Sequence, residues 1–229
     1  MNNTRLFNLK SHLEIKNQTN KELRLYIYGF IGGWDNNAKD ILRQLEHSNA
    51  EKIHVHINSG GGSAFDGIAI SNLLKNHRAE VIIHVDGWAA SAASIIAMAG
   101  DKIIMPANTL MMIHQASAFV YGNADQLEKL ASDLRKVDKA VSASYKNRFV
   151  GSEEELDRLL EEETWLTADE AVALGFADEV SDEIDYEEPI NNEDDEPENL
   201  KESLVSKYSK QNNRTPKQPV NENIARLFL

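Results

Sequence analysis

Val81-Ile82-Ile83-His84-Val85-Asp86-Gly87-Trp88-Ala89-Ala90-Ser91-Ala92-Ala93-Ser94-Ile95-Ile96-Ala97-Met98-Ala99 is the stretch on which the fold turns. Its first five residues are apolar apart from His84, the signature of a strand buried on both faces. Its last six, Ser94 to Ala99, read as a helix. Between them, Gly87 to Ala93 leaves room for a tight strand-to-helix turn with a serine ringed by alanines. Small neighbours let a substrate backbone come close, and the free N–H groups and positive end of the following helix favour an anion. A nucleophilic serine needs both an exposed hydroxyl and anion stabilisation of this kind. Ordinary close packing of a strand on a helix selects small residues too, so this segment by itself fits either reading.

Working outward, the pattern alternates. Residues 23–30 alternate as a strand, and Asn37 to Leu45 places Ala38, Ile41, Leu42 and Leu45 on one helical face. Lys52 to Asn58 is a second strand, closed by Ser59-Gly60-Gly61-Gly62. A helix from about Ser63 to Lys75 follows, with Phe65, Ile68, Ala69, Leu73 and Leu74 as its packing residues. After the serine segment, Lys102 to Met105 forms another strand and leads through Pro106-Ala107-Asn108 to Thr109-Leu110-Met111-Met112-Ile113-His114. Strands alternating with helices predict an α/β fold with a mostly parallel sheet.

From Ala124 to Phe149 runs one long helical pattern, with Asn123 and Gln126 as its start signal. Leu127, Leu130, Leu134, Val137 and Val141 are spaced 3, 4, 3, 4, a narrow seam for another helix. Packing on its own domain is the plainer reading; projection and pairing with a second copy is the one the stripe favours. A shorter helix begins at Thr167, where Thr-Ala-Asp-Glu forms a capping box, and ends at Gly175.

Composition removes several functions. There is no cysteine among 229 residues, so disulfides, thiolate metal sites and cysteine catalysis are unavailable. No run approaches the roughly 20 apolar residues of a membrane span, and Met1 to Leu6 lacks the apolar core of a signal peptide. The chain therefore reads as soluble and cytoplasmic. Of the net charge of −13, twelve acids and no base fall between residues 178 and 198, and no basic stripe suggests nucleic acid. Residues 181–229 read as a disordered acidic tail, with an apolar end, Ile224 to Leu229, that suits a docking motif or a frayed terminus equally.

An acyl-transfer site needs a nucleophile, a base, an acid to orient the base, and oxyanion donors. Ser91 is the candidate nucleophile, and His114, at the end of an apolar strand, the candidate base. Gly60-Gly61-Gly62 offers amides that approach a substrate closely; it lacks the following Lys-Ser or Lys-Thr of a phosphate loop. Asp86 could orient a histidine or simply close its strand. His54 and His56 share a strand face as two metal ligands would, yet no third ligand is in view, so neither metal nor cofactor is expected. His84 reads as packed in its strand, and Ser94 as a capping or packing residue.

Four segments in order and register resemble the proteolytic subunit of the Clp protease family. They are Ile57 to Gly62, Gly87 to Ser91, Met112-Ile113-His114-Gln115, and Trp165 to Ala171 with Leu174 to Asp178. The resemblance implies a ClpP/crotonase-like fold of stacked ββα units over 21–180, after an N-terminal segment 1–20, with the long helix as a projecting handle. It implies a ring-forming serine endopeptidase with Ser91 as nucleophile, His114 as base, and Gly61 and Ala92 as oxyanion donors. The acid position falls on Glu163, where the family usually has aspartate, and Glu161 and Glu162 lie close enough to compete. Gly60 stands where the housekeeping enzymes usually carry proline. That glycine, the Glu-Thr-Trp-Leu-Thr-Ala wording and the acidic tail look more like the proteases of phages and prophages, which process capsid or scaffold proteins during head maturation. Such enzymes are not expected to depend on an AAA+ ATPase. The alternatives are an ATP-dependent Clp subunit, a non-catalytic ring-forming scaffold and, more remotely, an acyl-CoA hydratase or isomerase of the same superfamily.

Overall fold

Branched apolar residues in short blocks build the sheet, and the order of the blocks sets its topology. The computed structural model describes residues 12–19, 21–33 and 36–181. Its strands are β1 (His12–Thr19), β2 (Glu22–Ile31), β3 (Lys52–Gly62), β4 (Glu80–Ala90), β5 (Lys102–Pro106), β6 (Leu110–Ile113), β7 (Thr164–Thr167) and β8 (Glu179–Ser181). Its helices are α1 (Ala38–Glu46), α2 (Ala64–Lys75), α3 (Ala92–Ala97), α4 (Ala124–Tyr145), α5 (Glu153–Glu161) and α6 (Ala168–Ala173). The main sheet runs β1-β2-β3-β4-β5-β8, parallel except for the antiparallel edge pair β1–β2. The expected α/β architecture with a mostly parallel sheet is the one observed.

Strand β4 changes neighbour halfway along. Ile82 to His84 pair with Lys102 to Ile104 of β5, whereas Trp88 to Ala90 pair with Leu110 to Met112 of β6. β7 then runs antiparallel to β6, with Ile113 opposite Thr164. This splitting of a strand between two partners opens a crevice at its carboxyl end, where α/β folds place their ligands. Register alone thus brings three positions together: Ser91 follows Ala90, His114 follows Ile113, and Glu163 precedes Thr164.

The core lies between the sheet and its helices. Leu25, Ile27, Ile53, Val55, Ile57, Ile83 and Val85 are fully enclosed or nearly so, with Ile70, Leu74 and Ile96 from the helices above them. Burying each such side chain contributes about 1.5–3 kcal/mol. α2 lies close against α3 because of Gly67: a Cβ there would come within 2.9 Å of the Ala92 carbonyl.

Several expectations need correction. β3 does not stop at Asn58 but continues through the glycines to Gly62, and β4 continues to Ala90, because both keep pairing there. In α2, capped by Ser63, the buried residues are Gly67, Ile70, Ser71 and Leu74; Phe65 is 71% exposed rather than packed. Helix α4 ends at Tyr145, not Phe149, and Arg148 and Phe149 turn back onto the Tyr145 carbonyl. α5 lies where the sequence reading names no helix, although Ser152 and Glu155 form a capping box. Within α4, the buried residues Val141, Ser142 and Tyr145 all fall near its C-terminus, while Leu127 is half exposed. A long helix anchored by one end suits a handle. The acidic tail and the apolar terminus lie outside the described residues.

Candidate active site

Ser91 sits at the first break after β4, with φ 56° and ψ −124°. Such a backbone costs a non-glycine residue about 1–3 kcal/mol and persists only where its surroundings over-determine it. Here they do. The Ser91 N–H donates to the Met112 carbonyl at 2.9 Å, and the Ser94 hydroxyl lies 2.6 Å from the Ser91 carbonyl and 3.0 Å from that of Met112. The Tyr145 hydroxyl, 2.8 Å from Ser94 Oγ and fully buried, completes the network. Burial pushes the Tyr145 phenol well above its usual range, so it is a neutral donor. Ser94 packs, as expected, but it packs by holding the nucleophile turn.

The turn places Ser91 Oγ 2.6 Å from His114 Nε2. This is a strong hydrogen bond to a ring nitrogen that can take the hydroxyl proton. His114 Nδ1 faces Glu163 Oε2 at 3.9 Å, within ion-pair range but beyond a direct hydrogen bond. Glu163 has φ 52° and follows the C-cap of α5, the position at which helices end in a left-handed residue. Its carboxylate is 61% exposed, against 19% for the His114 side chain. Glu161 instead lines a separate cavity between α4 and α5.

The glycine loop is closely fitted. A Cβ on Gly61 would lie 2.6 Å from Ser91 Cβ and 3.0 Å from the Ala92 nitrogen. The Gly61 N–H, however, donates to Ser59 Oγ at 3.0 Å, so the expected oxyanion donor is already engaged. Gly62 is the glycine on the cleft wall. Because the Ser63 N–H donates to the Ile31 carbonyl in the parallel ladder, that of Gly62 points to the opposite side, away from β2. Gly60 has its own reason: a Cβ there would approach Trp88 Cη2 to 2.7 Å, and Trp88 stacks on Trp165. A proline ring at position 60 would meet that indole.

Beside Ser91 and His114 opens a cleft of about 420 Å³, walled by Phe65, Leu130, Leu134 and Val137. The sequence does not anticipate it, because its wall comes from two helices far apart in the chain. The other candidates lie elsewhere. Asp86 accepts the Tyr28 hydroxyl at 2.5 Å and sits 3.1 Å from His56 Nδ1, so it orients no base in the cleft. His54 Nδ1 faces His84 Nε2 at 3.0 Å, and His84 stacks on His56. Among the described residues no group of three or more His, Cys, Asp or Glu could hold a metal ion.

A serine on a strained turn with a histidine on its hydroxyl is the arrangement of a hydrolase of the serine type. The chain belongs to the Clp protease family, whose pattern it matches over residues 10–184, and it is a serine endopeptidase with a ClpP-like fold. It is 33% identical over 153 residues to the ATP-dependent Clp protease proteolytic subunit of Deinococcus radiodurans, covering 64% of this chain and 74% of that one. It is also similar to the structure of a ClpP1 point mutant from Listeria monocytogenes, with TM-score 0.61, 26% identity, and coverage of 71% and 92% of the two chains. No described helix is long and apolar enough to cross a membrane.

Proposed function

We propose that peptide hydrolysis runs through a Ser91–His114–Glu163 triad, and that the chain acts as a phage or prophage head-maturation protease. The observation that carries the triad is the 2.6 Å contact of Ser91 Oγ with His114 Nε2 at a turn held in strain. Ser91 Oγ attacks the scissile carbonyl as His114 takes its proton, and the same proton passes to the leaving amine. Ala92 and Gly62, in place of Gly61, donate N–H groups to the oxyanion. Glu163 fixes the imidazole tautomer and offsets the charge of the imidazolium. Water, deprotonated by His114, then releases the acyl group and restores the serine. The apolar cleft wall favours an apolar side chain next to the scissile bond. A fluorophosphonate should add once to the wild type and not to Ser91→Ala, read by intact mass; equal adducts on both would remove Ser91 from the mechanism.

Support for head maturation comes from the Glu163-Thr164-Trp165-Leu166-Thr167-Ala168 wording, the acidic composition beyond residue 178, and Gly60 packed against Trp88. The substrate is then a capsid or scaffold polypeptide in the host cytoplasm or procapsid. The working form is a homo-oligomeric ring, stacked through α4. Incubation with phage capsid and scaffold proteins, without ATP, should yield defined fragments that Ser91→Ala does not produce. The Deinococcus relative favours a second reading, coupling to an AAA+ unfoldase. Processing of folded protein only when such an ATPase and ATP are added would select it. Binding of the head proteins without any cleavage would select the scaffold reading.

A further inference from the structure

We propose that Asp138, in the middle of α4, is a positioning residue that fixes the catalytic histidine; this rests on the Ser91–His114 reading above. Strand β6 ends at Ile113, and the chain beyond His114 has no ladder partner until α4 begins at Ala124. Backbone amides in such a segment must find acceptors elsewhere. Two do so directly after His114: the Gln115 N–H donates to the Leu160 carbonyl at 3.0 Å, and the Ala116 N–H to Asp138 Oδ1 at 2.8 Å. A carboxylate makes the second bond charge-assisted, roughly twice as strong as a neutral one.

The bond joins two otherwise separate parts. Asp138 belongs to the helix whose Tyr145, two turns further on, holds Ser94 and through it the nucleophile turn. Next to Asp138, Val137 walls the substrate cleft, as do Ala116 and Ser117 at the other end of the bond. One rigid helix therefore sets the spacing between the Ser91 turn and the segment leaving His114. Without Asp138 that segment keeps only the Gln115 bond directly beyond the histidine, and the imidazole gains freedom relative to Ser91 Oγ. A displacement of about 1 Å in such a group can lower the rate about a hundredfold.

The test compares Asp138→Ala, Asp138→Asn and, as a control, Asp101→Ala, whose carboxylate accepts the Val81 N–H at 2.8 Å at the end of β4 remote from Ser91. The full chain is assayed with a small fluorophosphonate and with an apolar peptide substrate, per folded molecule. Asp138→Ala should lower kcat and the labelling rate roughly ten- to hundredfold, with KM changed by less than about threefold. Asp138→Asn, which keeps an acceptor oxygen, should recover to within about threefold of wild type, and Asp101→Ala should keep its kcat while melting earlier. A folded Asp138→Ala with near-normal kcat overturns the proposal, as does an Asp138→Asn variant as slow as Asp138→Ala. If Asp138→Ala does not fold, Ala116→Pro removes the same bond from the donor side and decides by the same numbers. A wild type that takes no fluorophosphonate would instead overturn the Ser91–His114 reading, and this proposal with it.

Discussion

Among the described residues only two non-glycine positions have positive φ, Ser91 at 56° and Glu163 at 52°, and they stand at the two ends of the proposed triad. Their surroundings are opposites. Ser91 starts a helix, is locked by the Met112 carbonyl, Ser94 and Tyr145, and has its hydroxyl fixed on His114. Glu163 ends a helix, is tied by an N–H contact to Leu160 at 3.4 Å, and its carboxylate is 61% exposed at 3.9 Å from the imidazole. Left-handed residues are routine after a helix and rare before one. The same backbone angle therefore marks strain in an unusual place at Ser91 and a mildly strained but common helix stop at Glu163. Ser91 is built in, whereas Glu163 is only within reach of His114.

The sharpest break in that comparison is Ser91→Ala. Loss of the nucleophile should lower peptide hydrolysis by roughly 10⁴–10⁶-fold, because triad members act as a unit. Steady-state cleavage of an apolar peptide by a folded variant measures it, and residual activity within tenfold of wild type would mean that another group attacks.

Glu163→Gly should separate stability from activity. Glycine accepts φ 52° without strain, so the helix end should gain about 1 kcal/mol, raising Tm by roughly 2–4 °C. Removing the carboxylate should lower kcat/KM roughly a hundredfold. A variant that melts higher yet stays fully active would take the acid role away from Glu163. One that melts lower would show that the Glu163 side chain, and not its backbone, holds this turn.

How far the site was legible follows from the same contrast. Pattern places Ser91 and His114, because each ends an apolar block, but it leaves their roles open, and those come only with the family resemblance. Pattern does not separate the three acids 161–163, since the choice depends on where α5 stops, and the helical stripe of α5 is short and rich in acids despite the capping pair Ser152 and Glu155. Gly61 and Gly62 differ only in which side of a parallel ladder their N–H faces, and that requires knowing that β3 runs on through the glycines. Phe65 looks like core by type, yet Gly67 and Ile70 turn the helix so that it lines the cleft instead. Asp138 carries no sequence signal, because its partner is a backbone amide in a segment without regular structure.

A smaller effect tests the strain itself. Ser91→Gly and Ser91→Ala both lack the nucleophile, but only alanine keeps a Cβ at φ 56°. The strain relieved by glycine outweighs its greater freedom in the unfolded chain, so Ser91→Gly should be the more stable by about 1 kcal/mol. Equal melting of the two would mean that the turn is not strained after all.

The smallest effect expected is that of Tyr145→Phe. The variant keeps the buried ring and its edge contact with Phe176 but removes the hydroxyl 2.8 Å from Ser94 Oγ. Ser94 retains a carbonyl to which its proton can go, so no buried donor is stranded, and the loss should be about 1 kcal/mol. The Ser91 N–H bond to Met112 and the Ser94 bond to the Ser91 carbonyl both survive. Activity should therefore stay within about threefold of wild type, since 1 kcal/mol spread over the fold shifts the geometry of a doubly held turn very little. A hundredfold fall in kcat with Tm lowered by no more than a few degrees would reverse the comparison. The Ser91 turn would then hang on a single hydroxyl from α4, as loosely determined as Glu163 at the far end of the proposed triad.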